Sequence, residues 1–394
     1  MKGRILLAHV FFDILGGGEF LALNVARALK ESGYDVTIFT CTPVNASEVK
    51  KFFNIDISDF NIIVKRMTIV DIIKKVSRGR FSRLRRLMAY RRFFDVYMTK
   101  VGRDYDLVME TQSNIVSPAD ISYIHYPALV YLYEKKGSGI HWKLYNWAVK
   151  VYAAGFEKGI MSGRVLTNSS WTAAQIYKVH HIVADVVYPP VDIEYFSKVA
   201  DNDKREKLVV TVSRFTVEKG LDKIVDVAAK LRDYTFVLMG ATYEYSYKVL
   251  DAIEKKVREY KLDNVVVRTD VPRHGMLSYM RDARFYLHPE FTEHFGIAVV
   301  EAMAAGLVPL VYRDGGAWYD IVSRVDGLLG YSSINEVPKV IKYIESNGGL
   351  YEKLRKRSVE VSKLFTYENF KKNLLEKVEY VLQVKRIAAS HTGA

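Results

Sequence analysis

Twice along this 394-residue chain the same order recurs: a short apolar run, a turn rich in glycine or charge, an amphipathic stretch, and a second apolar run. Residues 5–10 read as a buried strand and Gly16-Gly17-Gly18 as a tight loop. Residues 19–31 read as a helix with Leu21, Val25, Ala28 and Leu29 on one face, and 35–40 as the next strand. From residue 208 the pattern starts afresh. A strand over 208–213 leads to Arg214 and Glu218-Lys219-Gly220, then to a helix over 221–231 and strands at 235–239, 265–268, 285–288 and 308–312. Strands joined through helices run parallel, and a parallel sheet must be covered on both faces. The fold class is therefore α/β, with two Rossmann-like domains. Tyr188-Pro189-Pro190 breaks regular structure and residues 197–206 are polar, so the linker is placed there. The expected domains are 1–193 and 194–368, with a last helix over 369–394 that crosses back to the first domain.

At this length two cores are expected, and 49% hydrophobic with 26% charged residues excludes a disordered chain. The formal net charge of +13 points to anionic partners: phosphates, acidic lipid or nucleic acid. No nucleic-acid module accompanies it, so nucleic acid is not expected as a partner. The single Cys41 excludes a disulfide framework or a cysteine-built zinc site and suits a cytoplasmic, reducing compartment. No stretch reaches the roughly 20 apolar residues of a spanning helix, so any membrane contact is expected to be peripheral. Only three glutamines stand beside 58 Lys+Arg and 45 Asp+Glu, a bias found in thermophile proteins.

Chemistry is expected at strand ends. The first glycine loop suits a phosphate, but Gly-Gly-Gly-Glu is not the Gly-x-Gly-x-x-Gly of a nicotinamide site, so a dehydrogenase loses its support. Residues 121–125 form a strand running into His125-Tyr126-Pro127, on the same sheet edge as that loop. Arg214 and Lys219, a fork and a point charge joined by a flexible turn, suit a diphosphate clamp. Residues 293–306, Glu-His-Phe-Gly-Ile-Ala-Val-Val-Glu-Ala-Met-Ala-Ala-Gly, set two carboxylates in a helical apolar run. Glu301 needs a partner there, and Phe295, Gly296 and Ile297 would offer N–H groups at the helix start. Read alone, the residues leave two accounts open: ligand-holding carboxylates, or a helix-start Glu293 and an internal ion pair at Glu301. Between residues 65 and 100 arginines crowd an amphipathic pattern, Arg83, Arg85 and Arg86 among them, which suits docking on an anionic membrane surface. Residues 135–161, rich in Trp, Tyr and Lys, fit either a core or an interfacial surface.

The two glutamates at that spacing, with Phe-Gly after the first and Glu-Ala-Met-Ala-Ala-Gly around the second, resemble the signature of retaining glycosyltransferases of family 4. Gly-Gly-Gly-Glu, Tyr-Ile-His-Tyr-Pro, Asn-Ser-Ser-Trp-Thr, Tyr-Pro-Pro-Val-Asp and Gly-Gly-Ala-Trp-Tyr-Asp-Ile-Val extend the resemblance from Gly16 to Ile321. They are most similar to the branch that adds mannose from GDP-mannose to dolichol-linked oligosaccharides. That branch carries a membrane anchor not found in this sequence, and Trp318-Tyr319 stands where Pro-Lys or Pro-Leu is more usual.

The resemblance implies a GT-B fold, two Rossmann-like domains facing a cleft, with a nucleotide-sugar donor in the second domain and a lipid-linked acceptor in the first. It implies Arg214 and Lys219 on the diphosphate, Glu301 on ribose, and Glu293 with Phe295, Gly296 and Ile297 on the sugar. His125 would position the sugar and the N–H groups of Gly17 and Gly18 would assist the diphosphate, with no metal or other cofactor. The alternatives are a UDP-sugar (glucose or N-acetylglucosamine) donor, and a binding module without catalysis.

Overall fold

The structure, a computed structural model, describes residues 2–12, 15–65, 90, 93–94, 99–128, 130, 140–154, 164–243 and 245–392. The chain divides into two compact units, Met1–Tyr188 with Phe370–Ala394, and Pro189–Asn369. In the first, β1 (Arg4–Ala8), β2 (Asp35–Thr40), β3 (Asn61–Val64), β4 (Leu107–Glu110), β5 (Ile121–Ile124), β6 (Val165–Thr167) and β7 (Asp185–Val186) form one sheet in the order β3-β2-β1-β4-β5-β6-β7. In the second, β8 (Glu206–Val212), β9 (Thr235–Gly240), β10 (Val265–Thr269), β11 (Ala283–Leu287), β12 (Val308–Tyr312) and β13 (Gly330–Tyr331) follow the order β10-β9-β8-β11-β12-β13. Neighbours pair in parallel throughout.

Both sheets build outward on one side of their first strand and then return to the other side. The order reverses between β1 and β4, and again between β8 and β11, so the carboxyl ends diverge there and leave a crevice in each unit. Those four strands are covered on both faces, which is why their sequences run apolar rather than alternating: Ile5, Leu6, Leu7 and Ala8 are fully buried, as are Phe285, Tyr286 and Leu287.

Arg83, Arg85 and Arg86 lie outside the described residues. Just beyond them Tyr90, Phe93 and Phe94 belong to the first unit's core with Leu6, Phe39 and Ile115, so this end of the basic stretch is core. Residues 197–206, polar enough to suggest a linker, are packed within the second unit instead. Arg205 is buried, and its guanidinium donates to the carbonyls of Val199, Ala200, Met280, Ala283 and Ala305 at 2.6–3.2 Å. A buried cation persists when most of its donors are met in this way, and three of those carbonyls, on Met280, Ala283 and Ala305, are remote in sequence.

The last helix, Tyr367–Thr392, belongs to the first unit from Phe370 onward. It buries Phe370, Leu374, Val378, Val381 and Leu382. Lys371 pairs with Glu31 at 2.8 Å, Lys377 with Asp185 at 3.3 Å and Lys385 with Asp120 at 2.7 Å. Among the described residues no helix is long and apolar enough to cross a membrane.

Candidate active site

In the second unit the crevice between β8 and β11 gathers charge. After β8 the chain makes a single 3-10 turn, Val217–Lys219, that carries Lys219 back against the sheet, where it is buried. Its Nζ lies 2.8 Å from Glu293 Oε2 and 3.9 Å from the centre of the Phe291 ring. His288, the residue after β11, holds Nε2 3.6 Å from the same Oε2, while its Nδ1 is 2.9 Å from the Pro289 carbonyl. Both partners therefore meet one oxygen of Glu293. Among the described residues Oε1 takes no hydrogen bond or ion pair, and the side chain is 27% exposed. Burial acts to raise the Glu293 carboxyl, but the charge of Lys219 and the contact with His288 outweigh it and hold the group well below the usual carboxylate range. Burial brings the neighbouring His294 down to about 4, so that ring is neutral.

Backbone geometry fixes Glu293. Gly315, at φ +90°, pairs with it in an isolated parallel bridge, and a Cβ on Gly315 would stand 2.2 Å from the Glu293 carbonyl oxygen. No other residue fits. Gly296, at φ +109°, heads the helix Ile297–Ala304 and its carbonyl accepts the N–H groups of Val299 and Val300, while those of Ile297 and Ala298 have no partner within the helix and point back toward the crevice end. Glu301 lies one turn further along. Arg273, at the start of the helix Arg273–Asp282, reaches it at 3.7 Å and Asp192 at 3.1 Å, with its guanidinium over the rings of Tyr195 and Phe196. Burial pushes the Glu301 carboxyl up to about 7; Arg273 opposes the rise and Asp192 adds to it. Arg214 is exposed and, among the described residues, free of side-chain partners.

In the first unit the crevice lies between β1 and β4. Gly17 and Gly18 open the helix α1 (Gly17–Glu31), and Glu19 in its first turn accepts from the Gly16 N–H at 3.0 Å. The other Glu19 oxygen meets Gln112 Nε2 at 3.3 Å and His9 Nε2 at 3.5 Å. His125 follows β5. Its Nε2 donates to the Thr111 carbonyl at 3.0 Å, and a Cβ on Gly18 would lie 3.7 Å from that same nitrogen, so the ring rests against the start of α1. Asn114, at φ +58°, accepts the N–H of His125 at 2.8 Å and fixes the turn. Glu110 is fully buried and accepts from Gln112 N at 2.6 Å and Ser113 Oγ at 2.7 Å; burial pushes it up to about 7.

Of the residues expected from sequence, Lys219, Glu293 and the start of the helix at Phe295, Gly296 and Ile297 are brought together in the second unit, with Arg214 on the same strand end and Glu301 one turn beyond. Gly17, Gly18 and His125 meet in the first. Lys219 is not a free cation: it is tied to Glu293. The turn at Val271-Pro272-Arg273 reads from sequence as facing the nucleotide, but the pairing of Arg273 with Glu301 was not foreseen, and sequence reasoning missed His288 in that unit and Glu19, His9 and Gln112 in the other. His288 carried the signal that flagged His125, a histidine where an apolar strand runs into proline. Among the described residues no three His, Cys, Asp or Glu side chains are grouped closely enough to hold a metal ion.

The family model described as Glycosyltransferase Family 4 matches residues 15–195, and the one described as Glycosyl transferases group 1 matches residues 192–361. The chain is a family 4 glycosyltransferase. The boundary between the two matches falls within a few residues of the boundary between the two units; the first match contains Gly17, Gly18 and His125 and the second Arg214, Lys219, Glu293 and Glu301. This glycosyltransferase is 28% identical to the GDP-Man:Man(3)GlcNAc(2)-PP-Dol alpha-1,2-mannosyltransferase of Neurospora crassa, over 63% of this chain and 50% of that protein. It is 27% identical to the human enzyme of the same name, over 56% of this chain and 49% of that protein. The match thus spans about half the length of these relatives. Its fold is GT-B. A glycosyltransferase involved in lipopolysaccharide biosynthesis, WaaG, superposes with a TM-score of 0.68 over 94% of this chain and 98% of that one, at 15% identity.

Proposed function

We propose that this glycosyltransferase moves mannose from GDP-mannose to a lipid-linked, dolichol-type oligosaccharide, forming an α linkage with retention of configuration. The observation that carries the transfer reading is the open Oε1 of Glu293, held between Lys219 and His288 at the head of a helix whose N–H groups face the same way. In this reading Arg214 and Lys219 stabilise the negative charge that grows on the departing diphosphate, the task of a preorganised cation pair. Glu293 Oε1 and the N–H groups of Phe295, Gly296 and Ile297 orient the sugar, and Glu301 takes the ribose hydroxyls. In the first unit His125 positions the sugar and Gly17 and Gly18 lend N–H groups to the diphosphate. The relatives' names support the choice of donor and acceptor, since they specify GDP-Man and PP-Dol. No metal takes part.

A panel of GDP- and UDP-sugars, followed by NMR of the released or transferred sugar, tests this reading. Turnover of GDP-mannose alone, with an α product and no loss in EDTA, is the expected result. Preference for UDP-glucose or UDP-N-acetylglucosamine would replace the donor, a β product would remove retention, and silence toward every donor would leave only a binding module.

The acceptor's lipid tail places the work at a membrane, peripherally and on its cytoplasmic face. In support, the helix Ile140–Ala154 exposes Ile140, Leu144 and Trp147, spaced four and three residues apart on one stripe, at 66%, 58% and 65%. That helix has no acidic residue. Apolar anchors on a helix of this kind suit the boundary of lipid headgroups and tails.

A further inference from the structure

We propose that His288 is a positioning residue which takes over the Glu293 carboxylate when Lys219 is drawn to the donor diphosphate, a step that rests on the transfer reading above. Lys219 has two tasks that conflict. In the free protein its Nζ is 2.8 Å from Glu293 Oε2, yet the same ammonium is the buried cation nearest the strand end where the diphosphate is proposed to bind. If the ammonium turns to a dianionic neighbour, Oε2 is left in a partly buried setting without its partner at 2.8 Å. An unpaired buried carboxylate would move toward solvent or take a proton, and either change would misplace Oε1.

His288 is built to prevent this. It is buried, follows directly on β11, and is pinned at both ends: Nδ1 is 2.9 Å from the Pro289 carbonyl, and the Tyr331 hydroxyl donates to its own carbonyl. A carbonyl only accepts, so Nδ1 carries a proton and the remaining nitrogen, Nε2, is the one aimed at Oε2 at 3.6 Å. That distance is long for a hydrogen bond and short enough to close with a small shift of the carboxylate. Nε2 donates only when the ring carries a second proton. The ionisable groups on the neighbouring elements are Glu293 and His294 ahead of the Ile297–Ala304 helix, Glu290 just after β11, tied to Lys223 and the Ile334 N–H, Lys219 from the turn after β8, Tyr286 on β11 and Tyr331 on β13. His294 is neutral, the tyrosines are raised by burial and Glu290 is held by Lys223, so Glu293 is the carboxylate that His288 Nε2 faces.

Two substitutions separate positioning from packing. His288→Asn keeps a group near Nδ1 and loses Nε2; His288→Gln reaches the Nε2 position with an amide donor that needs no protonation. With the preferred donor from the panel, His288→Asn is expected to lower kcat about ten- to a hundredfold with little change in KM, the loss typical of one hydrogen bond to a charged group. His288→Gln is expected to recover most of that loss. A merely structural histidine gives the reverse ranking, with Asn tolerated and Gln impaired; that result overturns the proposal. Calorimetry with GDP and UDP reads the parent reading separately. If wild type binds neither nucleotide, the donor site and this inference both fall, whereas binding and turnover with an unaffected His288→Asn remove the inference alone.

Discussion

At Arg214 and Lys219 the same proposed task is carried by side chains in opposite surroundings, and their substitutions should differ accordingly. Arg214 is exposed and unpartnered, so Arg214→Ala should cut kcat/KM by roughly 2.7–4 kcal/mol, the loss of one preorganised electrostatic donor, and leave thermal stability unchanged. Lys219→Ala should cause a similar kinetic loss and also destabilise the fold by about 1–3 kcal/mol, because it strips the buried partner of Glu293. Equal melting temperatures for the two variants would show that the Lys219–Glu293 pair contributes nothing to folding. Glu301 gives a pH prediction. Its carboxyl is raised from 4.5 to about 7, so the native state holds a proton that the unfolded chain has released between those values, and its contribution to stability falls as pH rises across that window. For the donor the direction is opposite. Only the ionised carboxylate accepts two ribose hydroxyls, so donor KM should rise as pH drops through about 7, and Glu301→Gln should flatten that dependence in initial-rate measurements.

Among the elements, the helix Tyr367–Thr392 shows what connectivity alone does not. It lies last in the chain, yet its buried side chains complete the core of the first unit, and its lysines pair with Glu31, Asp120 and Asp185 there. Leu374→Ala, at a fully buried position, should cost about 2–5 kcal/mol. Hydrogen exchange should show the loss in β1, β2 and α1 before any in β8–β13; uniform loss over both sheets would mean that the units unfold as one. The helix Ile297–Ala304 makes the complementary point. Its pattern of Ile, Val, Ala and Met reads correctly as buried, and the carboxylate in it was recognisable as anomalous. Its nearest partner, Arg273, could not be named, because the contact depends on how another helix start is placed beside it.

For the whole molecule, net charge and the exposed stripe at Ile140, Leu144 and Trp147 lead to one experiment. Each Lys or Arg near an anionic surface adds about 1 kcal/mol, screened by salt. Wild type should therefore sediment with anionic vesicles at low salt and release as salt rises. Replacing Arg83, Arg85 and Arg86 with Glu should weaken the electrostatic part, while Leu144→Asp with Trp147→Asp should weaken binding that persists at high salt; neither should alter hydrolysis of a soluble donor. Wild type that ignores anionic vesicles would end the membrane reading.

The sequence by itself determined the α/β class, the doubled strand–turn–helix order and the family, because apolar periodicity and turn chemistry are local properties of the chain. It also marked the strand ends where Gly17, Gly18, His125, Arg214, Lys219 and Glu293 gather, since in parallel sheets the carboxyl edge and the reversal of strand order follow from connectivity. Only the tertiary structure decided which charge meets which. Lys219 and Glu293 are 74 residues apart, Arg273 and Asp192 are joined across the second unit, and Arg205 finds five carbonyls in a stretch that composition marked as a linker. The reason is physical: a periodic pattern fixes which face of an element is buried, but a pairing between side chains needs two elements to be placed within a few ångströms of each other, and only packing sets that.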